Sequence, residues 1–565
     1  MPASPAAYVT LLGLLLVCQA RITWRLLSQA LPELGELSLR FHHPGLPLAP
    51  LFLPAKQQAL ASALAQAALG IVLATRRWTA SAAFGSLLVL VHTLLLEQSI
   101  YQNHYWLLGH VLLCLVVAAR RPRVLRTLLR FVHGLPYAFG AIAKLTHDWL
   151  VRRQPVAQWC LRLGGIPAPL LDWCPAALSV GGLAIDALMV PLLLLPPRFR
   201  PCAHLLAACF HLTNALLFHI GIFPFLMLAS HLLWAEQPLG ISRLTTQPQP
   251  GRPLADGSDR PDTAPSSAVR QHQGLRRRAK GPHASAAASA ATDDNGARRA
   301  AAPPAERSSW QPPRHWVWDA LLAVPCACFV TFHLAWPLRR WLVYDDASLW
   351  SQEGYFGAWQ MKQTQLDGLA VVVFLLQTGA AAPVEPAAWR DALGPSGAGR
   401  LQSGRRAVVL MPQLDEALTP HQRAFVVARP HMLLQYARHR AALLSAGNGV
   451  RPAAFAVSCF SLNARPPQPL YRSDVDLLTV GSYEWLGESG MGAWLHPLGA
   501  LNSTGQPAEC EALVLGADAV LRRGLSGFDE LQARAGGASA AEPSRADRLR
   551  ARQTFWHHVG SVAQS

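Results

Sequence analysis

Apolar segments of membrane length recur along the first 340 residues, and arginine-rich loops separate them. The chain has 565 residues, 51% of them hydrophobic, only 15% charged residues and a mean hydropathy of +0.20, which is too apolar for an ordinary soluble enzyme. Several segments are short, so their boundaries are loose. Nine predicted spans lie near residues 6–20, 58–75, 81–97, 104–119, 131–145, 176–196, 202–219, 220–235 and 316–336. This pattern predicts a polytopic α-helical membrane protein with about eight or nine spans.

The formal charge of +17 is typical of nucleic-acid binding, but the positions of the arginines argue against that partner. The basic groups fall in alternate loops, so all of them can face the cytoplasm. These groups are Arg76 and Arg77; Arg120, Arg121, Arg123, Arg126 and Arg130; Arg198 and Arg200; and the stretch 241–314. The loop near Tyr101, the segment after Lys144 and everything after Trp336 are then predicted to be outside, although Arg21 and Arg25 do not fit this arrangement.

Changes in composition divide the chain into five predicted parts. Residues 1–240 form a transmembrane domain, and 241–313, rich in Pro, Ala, Ser, Gly and Arg without periodicity, form a disordered basic linker. Residues 314–340 are the last transmembrane helix. An outer-side soluble α+β domain, β-rich, covers 341–528, and 529–565 are a polar tail. The expected location is an integral multi-pass protein in contact with lipid, in the endoplasmic reticulum if eukaryotic or the plasma membrane if bacterial.

Two local patterns define the predicted C-terminal domain. Residues 418–447 carry apolar side chains at helical spacing and predict one amphipathic helix. Residues 453–463 predict a strand. Ten cysteines show no zinc-binding spacing, so no metal is expected. Cys160 with Cys174, and Cys459 with Cys510, are candidate disulfides on the outer side.

Lys144 interrupts the apolar run GLPYAFGAIAKLTHDWL, where a charge is normally excluded. A protonated amine at bilayer depth costs roughly 2.5 kcal/mol or more, so an intramembrane lysine is a functional hypothesis by default. Burial lowers the pKa of a lysine, which can leave a neutral amine that acts as a general base. The alternative is a lysine that extends to the interface beside Asp148, four residues later.

Two further runs place polar side chains among apolar ones. In FHLTNALLFHIGIFPFLMLAS, His211, Asn214 and His219 face either a cavity or a neighbouring helix. In LLEQSIYQNHYWLLGH, Asn103 and His104 lie at the outer mouth of an apolar hairpin. A histidine there can orient a base or take up a proton, and it can equally cap the interface.

Together these runs resemble the vitamin K-dependent gamma-glutamyl carboxylase family, also called the HTTM domain proteins. The similarity continues beyond the linker and keeps the family's order, which makes it specific. The matching blocks are Leu96 to Gly109, Tyr137 to Trp149, Gly181 to Ser230, EGYFGAWQMK at 353–362, HMLLQYA at 431–437, SLNARPPQPLYRSDVDL at 461–477 and AWLHPL at 493–498.

The resemblance implies a function and roles for individual residues. Lys144 matches the lysine that deprotonates vitamin K hydroquinone, and His104 matches the histidine that supports this step. The quinol then reacts with dioxygen, and the resulting alkoxide removes a γ-hydrogen from a glutamate of a protein or peptide, which captures carbon dioxide. The family uses no metal. Residues expected to form the pocket are Asn103, Tyr137, Asp148, Trp149, His211, Asn214 and His219.

Two alternatives stay open at this level. The chain is short after AWLHPL, which leaves little room for substrate engagement, so it can be a quinol epoxidase that does not carboxylate peptides. It can also be a non-enzymatic quinone or lipid carrier, or a transporter, in which His104, His211 and Asn214 only line a passage. Transporters usually show paired halves, and no such repeat is visible in the sequence.

Overall fold

The first 235 residues fold into a bundle of helices that follows the predicted apolar segments. The computed structural model describes residues 3–32, 38–163, 167–218, 220–235, 316–343, 348–352, 354–360, 363–378, 393, 406–446, 450–481, 494–498, 508–515 and 520–521. The predicted linker 241–313, the tail 529–565 and His219 lie outside these residues. Contacts divide the chain into one unit of Met1–Gln237 with Ala327–Ser565, and a second of Pro238–Cys326.

The long helices of the membrane part each correspond to one apolar segment. They are α1 (Ala3–Ala30), α2 (Ala55–Thr75), α3 (Thr79–Leu96), α4 (Asn103–Ala118) and α5 (Pro122–Ala143). After them come α6 (His147–Leu150), α7 (Val156–Leu163), α8 (Ala168–Leu171), α9 (Cys174–Leu194), α10 (Arg200–Leu217), α11 (Phe223–Ser230) and α12 (Trp316–Val343). Short 3₁₀ turns cover Gln98–Ile100, Pro197–Phe199 and His231–Leu233.

Four of the described helices are long and apolar enough to cross a membrane. They are Pro5–Ala30, Ala55–Thr75, Thr79–Leu96 and Cys174–Leu194, and Asn103–Ala118 and Phe223–Leu233 are shorter apolar helices. Helix α5 is long enough to span, but arginines fill its first turns, as the sequence PRVLRTLLR shows. The structure is therefore mostly helical with four candidate membrane-spanning helices, as a helical membrane protein requires, whereas the number of eight or nine spans stays a prediction.

Helices α1 and α2 pack backbone against backbone at two glycines. A Cβ atom added at Gly13 would lie 2.5 Å from the Gly70 carbonyl oxygen, and one at Gly70 would lie 2.7 Å from the Gly13 carbonyl oxygen. Without a hydrophobic driving force between helices in lipid, such close approach is what stabilises their association.

The C-terminal part contains a three-stranded antiparallel sheet. Strands β1 (Leu366–Thr378), β2 (Arg406–Leu410) and β3 (Val450–Leu462) pair in the order β2-β1-β3. Alternate residues of β1 enter two separate hydrophobic cores, Val372 and Phe374 on one face and Val371 and Val373 on the other. Both faces of the sheet are therefore covered, which explains why β1 is apolar at nearly every position.

Helices cover both faces of this sheet. The remaining helices are α13 (Ser348–Ser351), α14 (Pro420–Val426), α15 (Pro430–Ser445) and α16 (Ala508–Leu515), with a 3₁₀ turn at Pro412–Leu414. The predicted single helix over 418–447 is wrong, because Pro430 cannot continue helix α14 and Arg429 before it is extended, with φ −116° and ψ 102°. The strand predicted at 453–463 is confirmed as β3.

Both candidate disulfides are present. Cys160–Cys174 joins α7 to the start of α9, and Cys459–Cys510 joins β3 to α16. The second bond fixes α16 against the face of the sheet that holds Val371 and Val373. Each bond closes a loop of the chain and so restricts the unfolded state.

The loops at one end of the helix bundle contact the C-terminal part. The backbone N–H of Gly357 donates to the Tyr101 hydroxyl at 3.1 Å, and Gln422 donates to Glu97 at 2.9 Å. The loop near Tyr101, the segment after Lys144 and the C-terminal domain therefore lie at one end of the bundle. Which compartment that end faces stays a prediction.

Asp148 in α6 is the centre of this contact. Its carboxylate accepts hydrogen bonds from Arg465 at 2.8 Å, Asn463 at 3.1 Å and Arg152 at 3.0 Å. Burial acts to raise the pKa of Asp148, but these bonds from Arg465, Asn463 and Arg152 outweigh it and hold the pKa below its usual value. The carboxylate is thus charged and joins the membrane part to the C-terminal part.

Asp148→Ala is expected to destabilise the protein by about 2 kcal/mol, because hydrogen bonds to a charged group contribute about that much and the two arginines lose their partner. Thermal unfolding of the purified protein in detergent measures this. Asp474→Ala, which removes the exposed pair with Arg472, is the matched control and should cost well under about 1 kcal/mol. Equal melting temperatures of Asp148→Ala and Asp474→Ala would show that Asp148 does not hold the two parts together.

Candidate functional site

Lys144 ends helix α5 and forms a buried ion pair with Asp186 in the middle of α9. Its Nζ contacts the Asp186 Oδ2 directly and lies 3.4 Å from the Gly140 carbonyl oxygen and 5.3 Å from the centre of the Trp149 ring. Lys144 is 8% exposed and Asp186 is 6% exposed. Lys144 therefore does not pair with Asp148, whose oxygens are occupied by Arg152, Asn463 and Arg465.

Glycines make the room for this pair. A Cβ atom at Gly140 would lie 2.7 Å from the Asp186 Oδ2, and one at Gly182 would lie 3.6 Å from Trp149 and 3.9 Å from the Lys144 Cε. Trp149 closes the other side, because its Nε1 donates to the Ser179 carbonyl oxygen at 2.9 Å. The lysine side chain is thus held among small residues, an indole ring and one carboxylate.

Asp186 was not predicted from the sequence. It is the one acidic residue in the apolar segment Cys174–Leu194, and a carboxylate at bilayer depth is a functional signal in its own right. That signal was available, but it did not say which basic group would face Asp186. The partner lies 42 residues away along the chain, on a different helix.

A second polar pair lies on the same face of α5. Tyr137 precedes Lys144 by seven residues, so both side chains project from one face of the helix. The Tyr137 hydroxyl and the His211 Nε2 are 2.5 Å apart, and His211 is 1% exposed. Asn214, one turn further along α10, is only half-buried. The structure therefore pairs His211 with Tyr137, which lies on the helix face that also carries Lys144.

His104 lies beside the turn between α10 and α11. Gly221 has φ +59°, a backbone angle that favours glycine, and a Cβ atom there would lie 3.4 Å from the His104 Nε2. The Nε2 is buried and has no hydrogen-bond partner among the described residues. His104 and Lys144 are both among the described residues, and no hydrogen bond joins them. Asn103 accepts a bond from the Tyr101 hydroxyl at 3.0 Å.

The Lys144–Asp186 pair can exchange one proton internally. Two opposite charges in a low-dielectric site each lose their hydration, and this penalty can exceed their mutual attraction. Transfer of the proton from the ammonium to the carboxylate removes both charges and leaves a neutral amine beside a carboxylic acid. Such an amine has a lone pair for accepting a proton from a bound acid.

Glu97 is a buried carboxylate in the loops at this end of the bundle. Its carboxylate is fully buried and accepts bonds from the backbone N–H groups of Phe41 and Ser99, both at 3.0 Å, and from Gln422. Burial raises the pKa of Glu97 to about 7, although these hydrogen bonds act in the other direction. Its charge therefore changes in the neutral range.

Because the pKa of Glu97 rises from 4.5 to about 7 on folding, this group favours the folded state at low pH, and that contribution is lost between those two values as the pH rises. The shift corresponds to on the order of 3 kcal/mol. We expect wild type to lose stability relative to Glu97→Gln between about pH 4.5 and 7, measured by thermal unfolding, with no further divergence above. The control is the exposed Glu416→Gln, and parallel pH curves of wild type and Glu97→Gln would contradict the shift.

The described residues contain no group of three or more His, Cys, Asp or Glu that could hold a metal ion. The helical bundle has four candidate membrane-spanning helices, and a buried ion pair lies between α5 and α9. Residues 2–238 match the family model for the HTTM domain, the domain found in vitamin K-dependent gamma-glutamyl carboxylase family proteins. No curated protein and no solved structure matched the chain in the other two comparisons. The resemblance drawn from the sequence is thus confirmed for the membrane part.

Proposed function

We propose that this protein is a membrane enzyme that oxidises vitamin K hydroquinone to its epoxide and couples this oxidation to the carboxylation of a peptide glutamate. The observation that carries the proposal is the buried ion pair of Lys144 and Asp186 within the residues that match the HTTM domain, which can supply a base and its proton acceptor. A hydroquinone is a weak acid with an apolar tail, and it suits a site that opens to lipid and holds a neutral amine.

The residues around the pair have defined roles in this proposal. Asp186 holds the amine in place and keeps the proton that the ammonium gave up, so the neutral Lys144 amine can accept the phenolic proton, and Trp149 keeps water away from the amine. His104, with its unbonded Nε2 beside Gly221, donates to or accepts from the quinol on the other side. Vitamin K hydroquinone, dioxygen and carbon dioxide are the proposed co-substrates. A dry site protects the strong base formed by oxidation from quenching.

The glutamate is proposed to arrive at the end of the bundle that contacts the C-terminal part. A pocket there is lined by Arg339, Arg429, Tyr355 and His43, among others. Arginines are suited to carboxylates, since they remain charged and present several donors. Burial lowers the pKa of Arg429 from its usual value, and Tyr355 and Glu97 act against this effect. An anionic ligand beside Arg429 would stabilise its charged form in the same way.

To test this function, reduced vitamin K, a glutamate peptide and labelled bicarbonate are added to membranes that contain the full chain. We expect both the epoxide and acid-stable label in the peptide. Epoxide without label would favour the alternative of a quinol epoxidase without peptide carboxylation. If neither epoxide nor labelled peptide forms, the enzyme proposal is overturned and a carrier of quinones or lipids is favoured.

His104→Ala is expected to reduce epoxidation by about 10²-fold, less than loss of the base, because an orienting or proton-relaying neighbour contributes only part of a rate. His104→Asn keeps a hydrogen-bonding group and should lose less. The epoxide formed per minute is the measurement. The control is His92→Ala, which removes another histidine of the bundle, half-buried and stacked on Phe52. Activity of His104→Ala equal to that of His92→Ala would remove His104 from the site.

A further inference from the structure

Polar side chains continue from the Lys144–Asp186 pair into the interior of the helix bundle. Beyond the Tyr137–His211 pair, the His204 Nδ1 and the His231 Nδ1 are 2.8 Å apart, and the Tyr8 hydroxyl lies 2.7 Å from the His133 Nε2. Burying polar groups is costly, so the histidines of these three pairs need an explanation beyond packing.

These groups are arranged along the helix axes. On α5, Tyr137 and Lys144 follow His133 by four and eleven residues, which puts all three on one face over roughly 16 Å at 1.5 Å per residue. On α10, His204 and His211 are seven residues apart, again on one face and about 10 Å from each other. The line of polar groups thus runs through the bundle rather than around it.

The charged forms of these groups are also close enough to influence one another electrostatically. Asp186 acts on Tyr137, and His231 acts on both His211 and His133. The His211 Nδ1 and the His231 Nε2 are buried and have no hydrogen-bond partner among the described residues. An imidazole with one bonded and one unbonded nitrogen can accept a proton on one side and release it on the other.

The line ends at His204, which is half-buried and lies four residues after Arg200. Helix α9 begins at Cys174, which is bonded to α7 near the C-terminal domain, and its 21 residues extend for roughly 30 Å to Leu194. Arg200 follows after a short turn, so His204 lies near the end of the bundle opposite the C-terminal domain.

We propose that Asp186, Tyr137, His211, His231 and His204 form a proton-transfer path from Lys144 to the membrane face opposite the C-terminal domain. This inference rests on the proposed function, which supplies the proton. The hydroquinone and dioxygen give the epoxide and water, so one oxygen atom enters each product. Carboxylation of a glutamate side chain by carbon dioxide replaces a C–H bond with a C–C bond and releases one proton. This one proton per turnover accounts for the proton that Lys144 took up. It must leave the site before Lys144 can act as a base again.

The experiment uses the full chain reconstituted into sealed liposomes that hold a pH-sensitive dye in the lumen. Reduced vitamin K and bicarbonate are equilibrated first, and a membrane-impermeant glutamate peptide is then added outside. Only copies whose C-terminal domain faces outward receive peptide, so orientation needs no sorting. We expect the lumen to acidify by close to one proton per carboxylated glutamate, and a protonophore should abolish the signal.

Two variants test the path itself. His231→Gln and His211→Gln are expected to lower steady-state turnover on the order of 10²-fold while the first turnover remains, because only proton exit is slowed. The control is His333→Gln, a buried histidine of α12 that bonds the Phe329 carbonyl oxygen and lies outside the path. Both its turnover and its lumenal acidification should match wild type.

The outcomes separate the two proposals. Product formation in wild type with acidification on the outer side overturns the path and leaves the proposed function intact. Unchanged turnover and acidification in both histidine variants also overturn it. Absence of any epoxide or carboxylated peptide overturns the proposed function and, with it, the source of the proton. Should the variants fail to fold, the side on which wild type releases its proton still decides.

Discussion

Replacing Lys144 with alanine is expected to abolish the epoxidation of vitamin K hydroquinone. Lys144 is the proposed base for the first proton transfer, and a general base contributes about 10²- to 10⁴-fold, so the later steps should have no reactive quinolate to use. The measurement is epoxide formed by membranes with equal amounts of folded protein. Addition of a small amine should restore part of the rate, because the cavity left by the side chain can hold it.

The lysine variant needs two controls. Lys144→Ala leaves Asp186 as a buried carboxylate without its partner, which typically costs about 3–5 kcal/mol, so Lys144→Gln is tested beside it. Glutamine keeps a donor for Asp186 and cannot act as a base. The exposed Lys56→Ala controls for loss of a lysine as such. Normal epoxidation by Lys144→Gln would show that the amine is not the base.

Replacing Asp186 with asparagine is expected to lower kcat on the order of 10²-fold with little change in KM for the quinol. Asparagine keeps the shape and one hydrogen bond, but it neither balances the ammonium charge nor accepts its proton. Asp186 is a positioning residue that acts through Lys144, so the pH dependence of kcat should also change. A purely structural role would not move that profile.

Ser179→Ala in the same helix is the matched control for Asp186→Asn. The Ser179 side chain is buried, and only its carbonyl oxygen, which the variant keeps, binds Trp149. We expect wild-type kinetics from Ser179→Ala. An Asp186→Asn protein with unchanged kcat and an unchanged pH profile would show that the carboxylate serves folding alone.

The sequence could predict whatever depends on composition and local order. Membrane-length apolar runs must become helices, because only helices satisfy backbone hydrogen bonds within a single segment in lipid, and each predicted run does correspond to a helix. Lys144, His104 and His211 could be identified because polar residues are conspicuous in such runs. The two disulfides were candidates because their four cysteines lie outside the apolar spans, and both are present.

The break between α14 and α15 was also visible in the sequence and was missed. Pro430 disfavours a helical conformation at the residue before it, and this local rule should have divided the apolar pattern over 418–447. The apolar spacing continues across the proline because both helices bury side chains against the same face of the sheet. The apolar periodicity therefore predicted correctly that residues 418–447 pack against one core, but it missed the boundary between α14 and α15.

The partners of charged residues were decided by tertiary structure. From the sequence, Asp148 is the carboxylate nearest to Lys144 on a helix. In the structure, Lys144 pairs with Asp186, 42 residues away, and Asp148 pairs with Arg465, 317 residues away. The sequence by itself identified Lys144 as an unusual charge in an apolar run, either buried as a base or extended to the interface beside Asp148. Which carboxylate pairs with Lys144 depends on how α5 packs against α9 and on the docking of the C-terminal domain, because electrostatic pairing acts through space rather than along the chain.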